Sequence, residues 1–291
     1  VVRPTRPVAG READLAQTDH RPVSESLREY GRGVAGGLLF SLPLLYTMEV
    51  WEAGSFLPPH RQLAYFAGTF VLLLGYNRYS GLHPLSSWAE VVIDSVEELG
   101  IGIVLSALIL LGLGRLTTDQ PIEEVVGRIL VEAFTIAIGV SVGTAQLGGD
   151  PEHRGLADRE VGFGGQITLA VCGAVLFAAN VAPTEEIVVL GLELPPLQLA
   201  ALAVGSMFLG GLVLYFSDFR GASRWVHRGQ PLAMTRGAVI TYAVALVSSA
   251  MILWLFGRFD HVDLGAVVGQ TVALAVAATL GASAGRLLLQ Q

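Results

Sequence analysis

The chain writes one pattern twice, so its fold must accommodate two equivalent units. LFSLPLLYTMEVWEAGSFLPP starts at Leu39 and LFAANVAPTEEIVVLGLELPP starts at Leu176. At an offset of 137, Leu39, Phe40, Thr47, Glu49, Gly54, Leu57, Pro58 and Pro59 recur as Leu176, Phe177, Thr184, Glu186, Gly191, Leu194, Pro195 and Pro196. The register continues through Gly68/Gly205, Leu72/Leu209, Ser80/Ser217, Trp88/Trp225 and Gly100/Gly237. A second match, at offset 142, pairs VVG at 125–127 with 267–269 and Gly139, Ser141, Gly143 and Leu147 with Gly281, Ser283, Gly285 and Leu289.

Both halves are apolar. Hydrophobic residues make up 52% of the 291-residue chain and charged residues 15%, with a mean hydropathy of +0.58. A soluble domain carries about a quarter charged residues, so the deficit places the chain in the membrane class. A net charge of −7 argues against a nucleic-acid partner. The single cysteine, Cys172, allows no intrachain disulfide. No signal-peptide pattern is present, and residues 1–32 read as a cytoplasmic tail or amphipathic lead-in.

A helix needs about 20 mostly apolar residues to cross a bilayer. Eight segments qualify: 33–54, 61–77, 98–115, 124–146, 164–183, 196–217, 237–257 and 264–286. The expected fold is an all-α integral membrane protein with eight transmembrane helices, arranged as two parallel four-helix repeats at 33–147 and 164–291. A polar linker, 148–163, joins them. An even number of spans per repeat gives both halves the same orientation, related by an axis along the membrane normal. With the N-terminus inside, fourteen arginines fall on the inner side (Arg3, Arg6, Arg11, Arg21, Arg28, Arg32, Arg78, Arg154, Arg159, Arg220, Arg224, Arg228, Arg236 and Arg286). Only Arg61, Arg115, Arg128 and Arg258 fall outside, so both termini are expected in the cytoplasm.

Against that background each charged residue in an apolar run needs a reason. Glu49 and Glu186 occupy equivalent positions, and a carboxylate in hydrocarbon normally faces a cavity or a partner. Asn180, Pro183, Thr184, Glu185 and Glu186 together predict a break in the fifth span, because proline removes a backbone hydrogen bond and frees carbonyls. Freed carbonyls, Thr47, Thr184, Asn180 and the carboxylates are hard oxygen ligands for a cation or a shuttled proton. Opposed across the pseudo-twofold, Glu49 and Glu186 would raise each other's proton affinity. The plainer reading puts both near the outer ends of their spans, in reach of water.

Three further features are weighed the same way. Glu90, Asp94, Glu97 and Glu98 follow at i, i+4, i+7 and i+8, so they read as an acidic cytoplasmic mouth that gathers cations, or as a solvated face. Glu124, Arg128 and Glu132 are four apart on one face, the spacing of intrahelical ion pairs, with Arg128 and Glu132 expected to neutralise each other. Structural pairing is the simpler role there, and a secondary polar pathway the functional one. The small residues Gly139/Ser141/Gly143 and Gly281/Ser283/Gly285 read as a packing seam between the fourth and eighth spans. His20, His60, His83, His153, His227 and His261 fall in predicted loops without metal spacing, and no nucleophile triad or P-loop is present. No cofactor and no enzymatic activity are expected.

SLPLLYTMEVWEAG, VEELGIGIVLSALILLGLGRL and APTEEI, with the hydropathy layout, resemble a family of uncharacterised bacterial integral membrane proteins over most of the chain. The resemblance implies a multi-pass protein of the bacterial inner membrane and carries no activity. From the residues, the expected function is ion translocation, as a proton-coupled cation transporter or a cation channel, with the bilayer and a cation or proton as partners. The alternative is a non-transporting membrane scaffold or accessory subunit. A homo-oligomer is compatible with either.

Overall fold

The structure, a computed structural model, describes residues 23–45, 47–80, 87–147, 162–216 and 231–287. The start of the lead-in, most of the polar linker and several arginines of the orientation argument (Arg3, Arg6, Arg11, Arg21, Arg154, Arg159, Arg220, Arg224 and Arg228) lie outside them.

The described residues form ten α-helices and no strands. They are α1 (Val23–Leu45), α2 (Met48–Phe56), α3 (Pro59–Ser80), α4 (Trp88–Gly112), α5 (Ile122–Leu147), α6 (Phe163–Ala179), α7 (Glu185–Glu193), α8 (Pro196–Phe216), α9 (Pro231–Leu255) and α10 (Leu264–Leu287). Helices are what apolar segments must form where water cannot satisfy the backbone. Five of them, α4, α5, α8, α9 and α10, are long and apolar enough to cross a membrane. That is fewer than the eight spans expected. α6 is apolar but only 17 residues long, and α3 carries Arg61, Gln62, Asn77 and Arg78.

Local sequence sets the boundaries. The expected first span, 33–54, is divided, because α1 ends at Leu45 and α2 starts at Met48. The interruption expected around Pro183 falls between α6 and α7. α3 and α8 begin at Pro59 and Pro196, where the missing N–H costs nothing, and the preceding Leu57 is extended as a pre-proline segment favours. Ser87 and Glu90 form a capping box at the start of α4. α4 and α9 end alike: Gly114 and Gly257 take left-handed φ of 68° and 73°. Arg115 and Arg258 then donate their backbone N–H groups to Leu110 and Leu253.

α5 packs on α1, α2, α3 and α4, and α10 packs on α6, α7, α8 and α9. α3 supplies the broadest contact between the halves, lying against α6. The small-residue seam runs within each half, which corrects the expectation of a contact between α5 and α10. Gly36 of α1 meets Gly139 and Gly143 of α5, and Gly173 of α6 meets Gly281 and Gly285 of α10. A Cβ on Gly36 would lie 2.7 Å from the Gly139 carbonyl oxygen, so the backbones meet with no room for a side chain. α2 and α7 dock in the same manner, Gly54 on Gly127 and Gly191 on Gly269.

Candidate functional site

The repeated glutamates do not meet as a buried pair. Glu186 is exposed in the first turn of α7, Glu185 beside it is exposed, and Glu49 is half-buried in the first turn of α2. The backbone N–H of Glu186 and the Thr184 hydroxyl bond its carboxyl and hold it below the usual carboxylate range, the behaviour of an acid at a helix N-terminus. The single Thr184 proton is shared between that carboxylate and the Val181 carbonyl, 2.9 Å away, and the Asn180 amide donates to Leu176 at 2.6 Å. Thr47 caps α2. Between the two interruptions stands Arg258. It donates to the Pro183 carbonyl, within electrostatic reach of Glu185 and Glu49. Burial lowers the pKa of this guanidinium, and the two carboxylates oppose that shift. The region is mixed in sign rather than a paired acidic site.

On α5 the expected pairing is shifted by one turn. Arg128 bonds Glu124, and it also donates to the Ser55 hydroxyl at 2.8 Å and the Arg115 carbonyl at 2.7 Å. Ser55, on α2, and the Arg115 turn lie by the N-terminal end of α5, so the guanidinium swings that way and leaves Glu132. The Glu132 side chain is fully buried, and neither carboxylate oxygen has a hydrogen-bond partner among the described residues. It lies ten residues into α5, about 15 Å from the helix start at 1.5 Å per residue. α5 has 26 residues and is about 39 Å long, so Glu132 sits well away from both of its ends. Within electrostatic reach is Tyr65 of α3, whose buried hydroxyl also has no partner among the described residues. The Tyr65 ring is wedged by Phe134 at 4.2 Å and Phe256 at 5.7 Å.

The acidic residues of α4 separate into different surroundings. Glu90 is spent on the capping box, and exposed Glu97 accepts from the Tyr30 hydroxyl at 2.6 Å. Glu98 turns inward and is buried. Its Oε2 accepts from the Asn77 amide at 2.7 Å, the same amide reaches the Ser95 hydroxyl at 3.1 Å, and Ser141 donates to Asn77 Oδ1 at 2.9 Å. One buried polar cluster thus ties α3, α4 and α5 together. Ser141 lies nine residues beyond Glu132 on α5, about 14 Å along the axis.

The two levels are joined by a single stripe of α3. Tyr65, Thr69, Leu73 and Asn77 follow at four-residue steps and are all buried. At the repeat-related positions α8 has Leu202, Ser206, Gly210 and Leu214, while Leu274 stands for Glu132, Gln270 for Arg128 and Thr241 for Glu98. The second half has smaller or apolar residues along this stripe and lacks the charged groups that face it in the first half. Ser283 shows the consequence: its hydroxyl is buried without a partner among the described residues, because Leu214 replaces the asparagine that Ser141 bonds.

No group of three or more His, Cys, Asp or Glu side chains able to hold a metal is present among the described residues. The family described as "Putative integral membrane protein (DUF2391)" matches residues 29–289. The chain belongs to this family. It is an integral membrane protein with several apolar helices. No curated protein and no solved structure matches it.

Sequence reasoning singled out Glu132 and Glu98 without anticipating their burial, and it passed over Asn77, Tyr65 and Arg258. One available signal was a third repeat register, at offset 143. There Ser106, Ala107, Ile109, Leu110, Gly114 and Arg115 recur as Ser249, Ala250, Ile252, Leu253, Gly257 and Arg258. It marks both arginines as parts of a repeated helix end that faces the α1/α2 and α6/α7 interruptions. Arg115 stacks on Trp51 of α2 at 4.1 Å, the counterpart of Arg258 at Pro183.

Proposed function

We propose that this protein translocates ions, coupled to protons, along the α3–α4–α5 face of its first half, with Glu132 as the proton-binding carboxylate. The observation that carries the reading is the fully buried, unpartnered carboxyl of Glu132. Burial without a partner charge favours the neutral acid, and ionisation must wait for a cation or a water path. A group in that position is suited to take a proton from one side and release it to the other. Tyr65 is the hydroxyl placed to exchange with it, and Thr69 continues the stripe toward Asn77 and Glu98.

In this reading Glu49, Glu185 and Glu186 with Arg258 form the outer mouth, where carboxylates attract cations and the arginine limits the net charge. Glu90, Asp94 and Glu97 surround the inner mouth. Eight spans in two parallel four-helix units, with both termini on the cytoplasmic side of a bacterial inner membrane, supply the frame. The matching neighbours of α5 and α10 and the matching ends of α4 and α9 support the two-unit arrangement.

The test is reconstitution of the full chain in proteoliposomes with imposed gradients of H⁺, Na⁺ and K⁺. Flux through the natural chain that disappears in folded Glu132→Gln is the expected result. Folded natural protein that moves none of these ions would contradict the reading and favour a scaffold.

A further inference from the structure

We propose that Asn77, Ser95, Glu98 and Ser141 form a binding site for a dehydrated monovalent cation, with Na⁺ the ion best suited to it. Four side chains from α3, α4 and α5 converge there within hydrogen-bond distances of 2.7 to 3.1 Å. Their oxygens, one amide carbonyl, two hydroxyls and one carboxylate, are hard ligands that suit alkali cations and exclude soft metals. One carboxylate balances one positive charge. Among the described residues no arginine or histidine forms an ion pair with Glu98, and Asp94 and Glu97 add negative charge from the same helix.

The ion-free geometry already contains the exchange. The Asn77 amide nitrogen points between Glu98 and Ser95, the place a cation would fill. Rotating that amide by half a turn brings Oδ1 to face Glu98 and Ser95, and sends the nitrogen to Ser141, whose oxygen can accept. Ser95 has committed its proton to the Val91 carbonyl at 2.7 Å, so it offers lone pairs to the cluster. The repeat scaffold does not require this polarity. At the corresponding positions the second half packs Leu214, Ala238, Thr241 and Ser283.

Proton and cation compete for the same carboxylate. Cation affinity therefore falls as pH drops, by up to about tenfold per pH unit once the acid form dominates. The binding claim stands on the cluster itself; its place in a transport cycle rests on the ion-translocation reading.

The deciding experiment is thermal unfolding of the purified full chain in detergent, titrated with NaCl against choline chloride at constant ionic strength. A saturable Na⁺ stabilisation is expected in the natural chain and in Glu132→Gln, and its loss is expected in Glu98→Gln. Ser95→Ala and Ser141→Ala should each weaken the Na⁺ midpoint by about tenfold, as the loss of a ligand or supporting group does. If Glu98→Gln does not fold, those two variants decide alone. Choline matching Na⁺ in the natural chain, or unchanged midpoints in the variants, would overturn the site. Flux without Na⁺ stabilisation removes the site and leaves translocation standing, whereas Na⁺ stabilisation without flux does the reverse.

Discussion

α3–α5 and α8–α10 are built to one plan and differ in what they bury. Both have a central helix seamed by glycine to the first helix of its half, a short docked helix, and an adjoining helix ended by a left-handed glycine and an arginine. Inside the first half lie Glu132, without a partner among the described residues, and Glu98 within a polar cluster; inside the second lie Leu274 and Thr241. A buried carboxyl is costly in both places, yet only one half retains it. The shared features are therefore those of packing, and the differing ones mark where chemistry was kept.

The comparison breaks most sharply at Glu132. Glu132→Leu installs the residue of the second half, and replacing an uncompensated buried polar group with an apolar side chain should stabilise the fold by about 1–3 kcal/mol. A chemical or thermal unfolding series would show it, and a loss of stability would mean that Glu132 serves the scaffold. The seams should behave oppositely, with no difference between halves. Gly36→Ala and Gly173→Ala each force a Cβ into a facing backbone, and each should cost about 1–3 kcal/mol by the same assay. A large inequality would show that the two seams are not equivalent.

Smaller effects refine the picture. Ser141→Ala should cost about 1 kcal/mol by removing the donor to Asn77. Ser283→Ala should be neutral or slightly stabilising, since its hydroxyl is buried without a partner among the described residues. The smallest effect concerns the link between the halves, where Arg61 grips Asp260 through two hydrogen bonds of 2.6 Å. Those bonds hold the Asp260 carboxyl below its usual value. The contribution is thus full above the unfolded carboxyl's pKa, about 3.9, and is lost as pH falls through the lower folded value. Asp260 is half exposed, so Asp260→Asn should cost less than about 1 kcal/mol at neutral pH, measured as a shift in unfolding midpoint.

Much of this architecture was legible in the chain. The apolar runs gave an all-helical chain, and the LPP turns and Pro183 marked the starts of α3 and α8 and the interruption before α7, whereas the division of the first span into α1 and α2 was not read. The partners of polar side chains were not. Spacing alone allowed Arg128 to pair with either Glu124 or Glu132, and the choice came from Ser55 and the Arg115 carbonyl, which are brought in by other helices. The i, i+7, i+8 arithmetic put Glu97 and Glu98 near one face of α4. A 100° step per residue was enough to leave Glu97 exposed and Glu98 buried. Glu49 and Glu186 stood out because they repeat, yet repetition reported a conserved place at the start of α2 and α7, outside the buried interior.

Proton uptake by proteoliposomes carrying three forms of the chain tests the central claim most directly: natural, Glu132→Gln, and the double variant Glu49→Gln/Glu186→Gln. The account predicts flux in the natural chain, reduced but persistent flux in the double variant, which loses only carboxylates of the outer mouth, and none in folded Glu132→Gln. Normal flux in Glu132→Gln, with the double variant silent, would contradict it.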